Sequence, residues 1–492
     1  MGGKIFTYLK NKSAFYFGNK SLPEKKQVLY LAYIFAAAFA LRLLIFYNTT
    51  VFAFSDFVIY YSGAFKVAAG EVLPLFSQSS PLIISFIGAW FIKNLGSINY
   101  WFYANILISS LSLPLLWAIT KKITRHSGIA NLSILILAFY PTFFVQPSIF
   151  YTQVVMIFIA SGIILLLLTA YGTRNNLIAL VCIILSSGLI VISMSFKWEL
   201  LYFHIFIGVS SIYLFLLKYK RQALISLLFC ILTFVFLQLT IQFFEPIQTY
   251  LKNGENNLLF FGQTPYAGGE GMMLDSYREK YEQGLEEFKR LHESEYENQV
   301  MMKNAYQSML IKDFILNHPH EWAGLQAKKF FRTLGVKPEG MSFRLLVSGK
   351  IPLGKNIAGI LLSAPFILLF LCCIFLFDKN LIKILFKSYT GIFIISVFVY
   401  YIIATIFYPH YQIRYRMPLE FFFIVPTAAA FIVSSVAGEN MFRKTIKKHF
   451  LIKIIVFIIF ASAWVYETYD IFVLNKDRYI KNAEKYEEGF IP

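Results

Sequence analysis

Long apolar runs separated by short basic links recur along the whole chain. They fall at about 28–47, 101–119, 128–146, 151–170, 177–196, 200–217, 222–243, 356–377, 388–407, 418–437 and 450–472. Each is close to the length, roughly 20 residues, that an α-helix needs to cross ~30 Å of hydrocarbon. The pattern predicts an all-α polytopic membrane protein with about eleven transmembrane helices. The run 81–95, PLIISFIGAWFIKNL, is shorter and reads as an interfacial helix lying along the membrane surface. Ahead of it, Phe57, Tyr60, Tyr61, Ala64, Phe65 and Ala68 recur at three- and four-residue spacing, which predicts another short helix. Asp56 falls at its N-cap or first turn, and Gly70 supplies its stop.

Charge orients this pattern. Lys4, Lys10, Lys12, Lys20, Lys25 and Lys26 precede the first span and place the N-terminus in the cytoplasm. If 81–95 does not cross, the same side receives Lys121, Lys122 and Arg125, then Arg174, then Lys218, Lys220 and Arg221. The Asp56 loop, the segment around Lys197, a large hydrophilic loop, and Arg414 with Arg416 then lie outside. If 81–95 crosses, every later basic cluster moves to the wrong side, so the non-crossing topology is expected.

The composition agrees: 58% of the 492 residues are hydrophobic and 15% charged, where a soluble domain carries about a quarter charged. The net charge of +18 sits mainly in the links, so it reports topology and not a nucleic-acid partner. The first apolar run is long enough to remain as an anchor, and no cleavable signal peptide is expected. Cys182, Cys230, Cys372 and Cys373 all lie inside apolar runs and are expected to be packed hydrophobes, without a disulfide or metal framework.

Residues 245–355 form the only sizeable hydrophilic segment. It runs from the Gly/Asn-rich NGENNLLFFGQTPYAGGEG through charged and amphipathic helical stretches to NHPHEWAGLQAKKFF. It is expected to make a small extracytoplasmic helical cap. The chain thus divides into an N-terminal membrane module (1–244, with its first outer loop at 48–100), the cap (245–355), C-terminal transmembrane helices (356–472) and a polar tail (473–492).

Asp56 has two readings. An aspartate caps a helix by satisfying free N–H groups; it also sets a carboxylate at the outer membrane boundary. Arg42, near the end of the first span, can pair with Asp56, bind a lipid phosphate or snorkel to the headgroups. Snorkelling is also the plain reading of Arg414 and Arg416, and a solvated helix face that of Lys328, Lys329 and Arg332. Lys197 and Glu199, in SFKWELL, suggest a salt-bridged turn, and His204 a packed core residue.

Several features in order resemble the GT-C glycosyltransferases, most nearly the family 39-like branch of protein O-mannosyltransferases and lipid A aminoarabinose transferases. The first span ends in ALRLLIFYN with Arg42. The pattern D…Y…A…G follows as Asp56, Tyr60 or Tyr61, Ala64 and Gly70, and then a helix from Pro81 to Gly96. Tyr140-Pro141, the NGENNLLFFGQTPYAGGEG loop, NHPHEWAGLQAKKFF and RYR-x-P (Arg414, Tyr415, Arg416, Pro418) complete the likeness over about residues 28–430.

The resemblance implies a donor sugar on a polyprenyl or dolichyl phosphate, passed to a glycan, lipid or protein acceptor at the outer face of the plasma membrane. Asp56 would be the general base of an inverting displacement. Arg414, Arg416 and Arg42, with Lys328, Lys329 and Arg332, would bind the lipid phosphate. Tyr60, Tyr61, Gln153, Lys197 and Glu199 would touch acceptor or sugar. Some members hold a divalent metal on acids where this chain has Thr152 and Gln153, or Gln78, Ser79 and Ser80. Neutral groups replace carboxylates poorly, so cationic side chains are expected to do that work and no resident metal is assigned. A transporter or flippase, and a catalytically silent relative, are the alternatives. Expected near-absence of ionisable residues within the spans, with Glu420 and Lys453 near span ends, speaks against transport.

Overall fold

The computed structural model describes residues 24–51, 56–73, 82–148, 152–197, 200–244, 263–264, 275–292, 299–335, 343–345, 354–376, 388–407, 413–437, 449–469 and 473–474. The N-terminal half contains α1 (Glu24–Asn48), β1 (Thr49–Val51), α2 (Asp56–Ala68), α3 (Ile83–Leu95), α4 (Asn99–Thr124), α5 (Ser127–Ala138), α6 (Pro141–Val145), α7 (Gln153–Gly172), α8 (Asn176–Met194), α9 (Phe203–Leu216) and α10 (Lys220–Phe243). The cap holds α11 (Asp275–His292), α12 (Gln299–Asn317) and α13 (Pro319–Thr333). After it come β2 (Phe343–Leu345), α14 (Gly354–Leu376), α15 (Tyr389–Phe407), α16 (Ile413–Ala437) and α17 (Phe450–Tyr469).

All eleven apolar runs are helical, as expected. Among the described residues, six helices are long and apolar enough to cross a membrane: α1, α4, α7, α8, α10 and α17. The chain is a helical membrane protein. The run 128–146 departs from a single span: α5 stops at Ala138, α6 begins at Pro141, and a 3-10 turn, Gln146–Ser148, follows. Proline lacks the N–H that would continue the helix and disfavours helical backbone in the residue before it.

Helices α1 and α4 run antiparallel. At one end Lys121 Nζ donates to Gln27 Oε1 (2.9 Å), and at the other the Tyr47 and Tyr103 hydroxyls share a 2.8 Å hydrogen bond. The chain between them therefore leaves and returns at the same end. With 13 residues each, α2 and α3 are about 20 Å long, too short to cross the membrane's ~30 Å. They pair with each other as a hairpin. Gly70 closes α2 with φ 96°, its N–H on Val67 O (3.1 Å) and the Glu71 N–H on Lys66 O (3.0 Å), a helix stop that favours glycine.

The α2–α3 interface is tight because its residues are small. Ala64, Ser85, Gly88 and Ala89 are buried in it. The Ser85 hydroxyl donates to Tyr60 O (3.0 Å), and a Cβ on Gly63 would sit 2.6 Å from that same hydroxyl oxygen. Gly63→Ala should therefore cost about 1–3 kcal/mol. Adding Ser85→Ala should recover part of that loss in a micelle unfolding titration. A Gly63→Ala chain as stable as wild type would show that the two helices can part freely.

At the opposite end of the bundle, Arg221 and Gln222 donate to Ala170 O and Tyr171 O at 3.4 and 3.2 Å. The Tyr171 and Tyr219 rings pack on Tyr389. These contacts gather Arg174, Lys218, Lys220 and Arg221 at the end that also holds Lys121 and Gln27. Lys453 Nζ donates to Phe375 O beside the end of α14, where a cation favours the helix's free carbonyls.

In the cap, α11 and α12 pack through Tyr281 and Tyr306, with Gln307 Nε2 on the Tyr281 hydroxyl (3.0 Å). α13 rests on the bundle, its Phe331 against Phe460 of α17, while Trp464 Nε1 donates to Leu334 O (3.0 Å). A short antiparallel ribbon, not foreseen from the sequence, pairs Thr49 with Leu345 and Val51 with Phe343.

Candidate functional site at one end of the bundle

Arg416 sits in the first turn of α16 and is 2% exposed. It does not snorkel. Its Nε donates to Glu420 Oε1 (3.0 Å), one NH2 group to Gly335 O (2.7 Å) and the other to Ser363 Oγ (3.2 Å). The guanidinium stacks 4.2 Å from the centre of the Phe366 ring. Glu420 is 0% exposed and takes a further hydrogen bond from Thr142 Oγ1 (3.2 Å). The pair joins α16, α14, the short α6 and the exit of the cap.

Arg42 is also 0% exposed, which removes snorkelling from its three readings. Its Nε donates to Ser109 Oγ (3.0 Å) and its Nη1 to Ala38 O (3.0 Å), while Nη2 has no hydrogen-bond partner among the described residues. Ser109 Oγ in turn contacts Phe143 O at 3.4 Å. Helix α6 thus touches both buried arginines, Arg42 through Phe143 and Arg416 through Thr142 and Glu420.

The other expected residues divide. Asp56 opens α2 at this same end, where the helix's N-terminal partial charge favours a carboxylate; its side chain lies outside the described residues, as do those of Arg414 and Arg332. Glu199 lies wholly outside them. Tyr60 turns inward and is buried, whereas Tyr61 is half-buried with its ring 5.1 Å from Phe65. Gln153 is buried at the start of α7, Lys197 is buried just beyond α8, and His204 packs in the core as expected. Glu420 and Lys453, expected near span ends, are both buried: Lys453 lies in the first turn of α17 and Glu420 about two turns into α16.

In the cap, Lys328 and Lys329 part company. Lys328 is exposed, and Lys329 is 0% exposed. Lys329 Nζ donates to Gln326 Oε1 (3.3 Å), and Gln326 and Trp322 both donate to Gln263 Oε1 at 3.2 and 2.8 Å. A solvated face describes Lys328 only. Burial pushes the Lys329 ammonium down to about 7 from its usual 10.5. Below pH 7 the folded cap carries a buried charge; above it the unfolded chain holds the extra proton. Stability of the cap should therefore rise with pH from about 7 towards 10. Lys329→Met should flatten that rise in a thermal-melting series; a rise of equal slope in the variant would remove Lys329 as its source.

The sequence reading did not name Glu420, Thr142, Tyr140, Ser363 or Gln263 as site residues. Only Glu420 left a local signal, the i, i+4 spacing from Arg416; the rest meet across 53 to 278 positions of chain. No protein-family model matches this chain, and no curated protein matches it.

Proposed function

We propose that this protein is a GT-C-type glycosyltransferase of about eleven spans. It moves a sugar from a polyprenyl-phosphate donor to an acceptor at the outer face of the plasma membrane, with its N-terminus in the cytoplasm. The acceptor hydroxyl oxygen attacks the anomeric carbon, the bond from that carbon to the lipid phosphate oxygen breaks, and Asp56 takes the hydroxyl proton. The lipid phosphate leaves with the bonding electrons, and the configuration at the sugar inverts because attack comes from the face opposite the leaving group.

One observation carries the reading. A continuous set of contacts at a single end of the bundle links Arg42, Ser109, α6, Glu420, Arg416 and the cap exit at Gly335, and α2 with Asp56 is hinged at that same end. An acid and buried cations beside a membrane boundary suit displacement of a phosphate leaving group. The three donor groups of Arg416 already bind within the chain, so its role is to hold α16 in place. Arg42, with Nη2 unspent, and Arg414 are the first candidates for the phosphate, with Lys328 and Arg332 on the cap behind them.

The buried Arg416–Glu420 pair and the break before α6 also suit a transporter of a polar substrate. One comparison separates the two. Polyprenyl-phosphate sugars and surface glycans would be identified by mass spectrometry in a deletion strain and in the same strain carrying the wild-type chain, with the leaflet of each lipid-linked sugar read from its oxidation by a membrane-impermeant reagent added to sealed cells. Deleting a transferase leaves one lipid-linked sugar in excess on the outer leaflet and removes one surface sugar. Accumulation confined to the inner leaflet supports the transporter, and unchanged profiles overturn both.

A further inference from the structure

Two polar atoms beside the α5–α6 break have no hydrogen-bond partner among the described residues: the Tyr140 hydroxyl and Glu420 Oε2. Tyr140 is 2% and Glu420 0% exposed. They lie within electrostatic reach of one another, and Thr142, two residues from Tyr140, hydrogen-bonds the other oxygen of the same carboxylate. Leaving such groups bare in a dry interior costs about 1–3 kcal/mol each. Native interiors seldom tolerate two together unless something else completes them.

What completes them must accept from a phenol and donate to a carboxylate. A hydroxyl does both, on a sugar as on a water molecule. Charge narrows the choice further. Arg416 balances Glu420 at 3.0 Å, so the spot is close to neutral. A phosphate oxygen would meet the bare Glu420 oxygen, and an ammonium could not accept from Tyr140. Arg42, with its own unspent N–H, reaches α6 from another side through Ser109 and Phe143. An anionic group held there would leave an attached polyol within range of the α5–α6 break.

We infer that Tyr140 and Glu420 form a hydroxyl-binding subsite for the sugar of the lipid-linked donor, Tyr140 donating to and Glu420 accepting from the ring's hydroxyls. This rests on the transferase reading. The subsite discriminates sugar-bearing lipid from the bare lipid phosphate that the reaction releases, and so favours product exit.

Full-length protein in nanodiscs, as wild type, Tyr140→Phe and Glu420→Gln, would be titrated with two probes. One is bare undecaprenyl phosphate; the other is a panel of undecaprenyl phosphate-linked glucose, mannose, galactose and N-acetylglucosamine. Wild type should bind at least one glycosylated lipid about tenfold more tightly than the bare lipid. Each variant should lose most of that preference while keeping its affinity for the bare lipid. Tyr140→Phe keeps the ring, so it remains informative if loss of the Glu420 charge unfolds the chain. An undiminished preference in Tyr140→Phe overturns the subsite and leaves the transferase reading standing. So does a wild type that prefers no glycosylated lipid. If wild type binds neither probe, the transferase reading itself falls, and the subsite with it.

Discussion

An Asp56→Asn chain should accumulate in the membrane at wild-type levels and transfer sugar about 10²–10⁴-fold more slowly, the range that a positioned general base contributes. The expectation has two parts because the proposed reading gives Asp56 two jobs. As the first residue of α2 it stands at a helix N-terminus, where asparagine serves nearly as well; losing the charge there costs about 0.3–1 kcal/mol. As a base it cannot be replaced, since a carboxamide takes up no proton near neutral pH. The measurement is the rate of sugar loss from the lipid donor, beside the amount and melting temperature of the protein. Loss of rate with unchanged melting assigns Asp56 to the chemistry. Unchanged rate makes it a cap alone, and loss of both makes α2 the failing part.

Replacing Arg416 by alanine should have the largest effect on stability, about 3–5 kcal/mol. Breaking a buried pair leaves the remaining charge without compensation. Here that charge is Glu420, 0% exposed, and the same substitution removes the hydrogen bonds to Gly335 and Ser363 and the contact with Phe366. Removing both charges is a different matter. Arg416→Met with Glu420→Leu should cost much less than the two single changes added together, because no bare charge is left. Reversible unfolding in mixed micelles gives all four corners of the cycle. An Arg416→Ala chain as stable as wild type would detach the guanidinium from the scaffold and return Arg416 to the candidates for the donor phosphate.

The helices were legible in the sequence and their meetings were not. A run of roughly 20 apolar residues has one structure available in lipid, since only a helix satisfies its own backbone there; hence the agreement at α1, α4, α7, α8, α10 and α17. The stops at Gly70 and Gly96 were equally legible, because their φ angles of 96° and 78° suit glycine. Tyr140-Pro141 was visible as a pair of residues, and the proline is reason enough to split 128–146; how the short α6 then packs was not visible. Lys328 and Lys329 show the limit most plainly. Adjacent positions on a helix are turned by about 100°, and only the docking of α13 decides which faces inward. Arg42 likewise needs Ser109, 67 positions away, before its burial makes sense.

The exit of the cap carries a consequence for how the protein is made. Leu334 and Gly335 are gripped by residues 130 and 81 positions further along the chain, Trp464 and Arg416. At a synthesis rate of about 5–20 residues per second, roughly 7–26 s separate Leu334 from Trp464 at the ribosome. During that interval the cap, translocated on the proposed topology, can meet Arg416 and the helices before it but lacks the grip of Trp464 and α17. A nascent chain arrested before α17 should therefore be fully membrane-integrated yet more protease-sensitive beyond α13 than the full chain, and should gain full protection only once the last helix has been inserted.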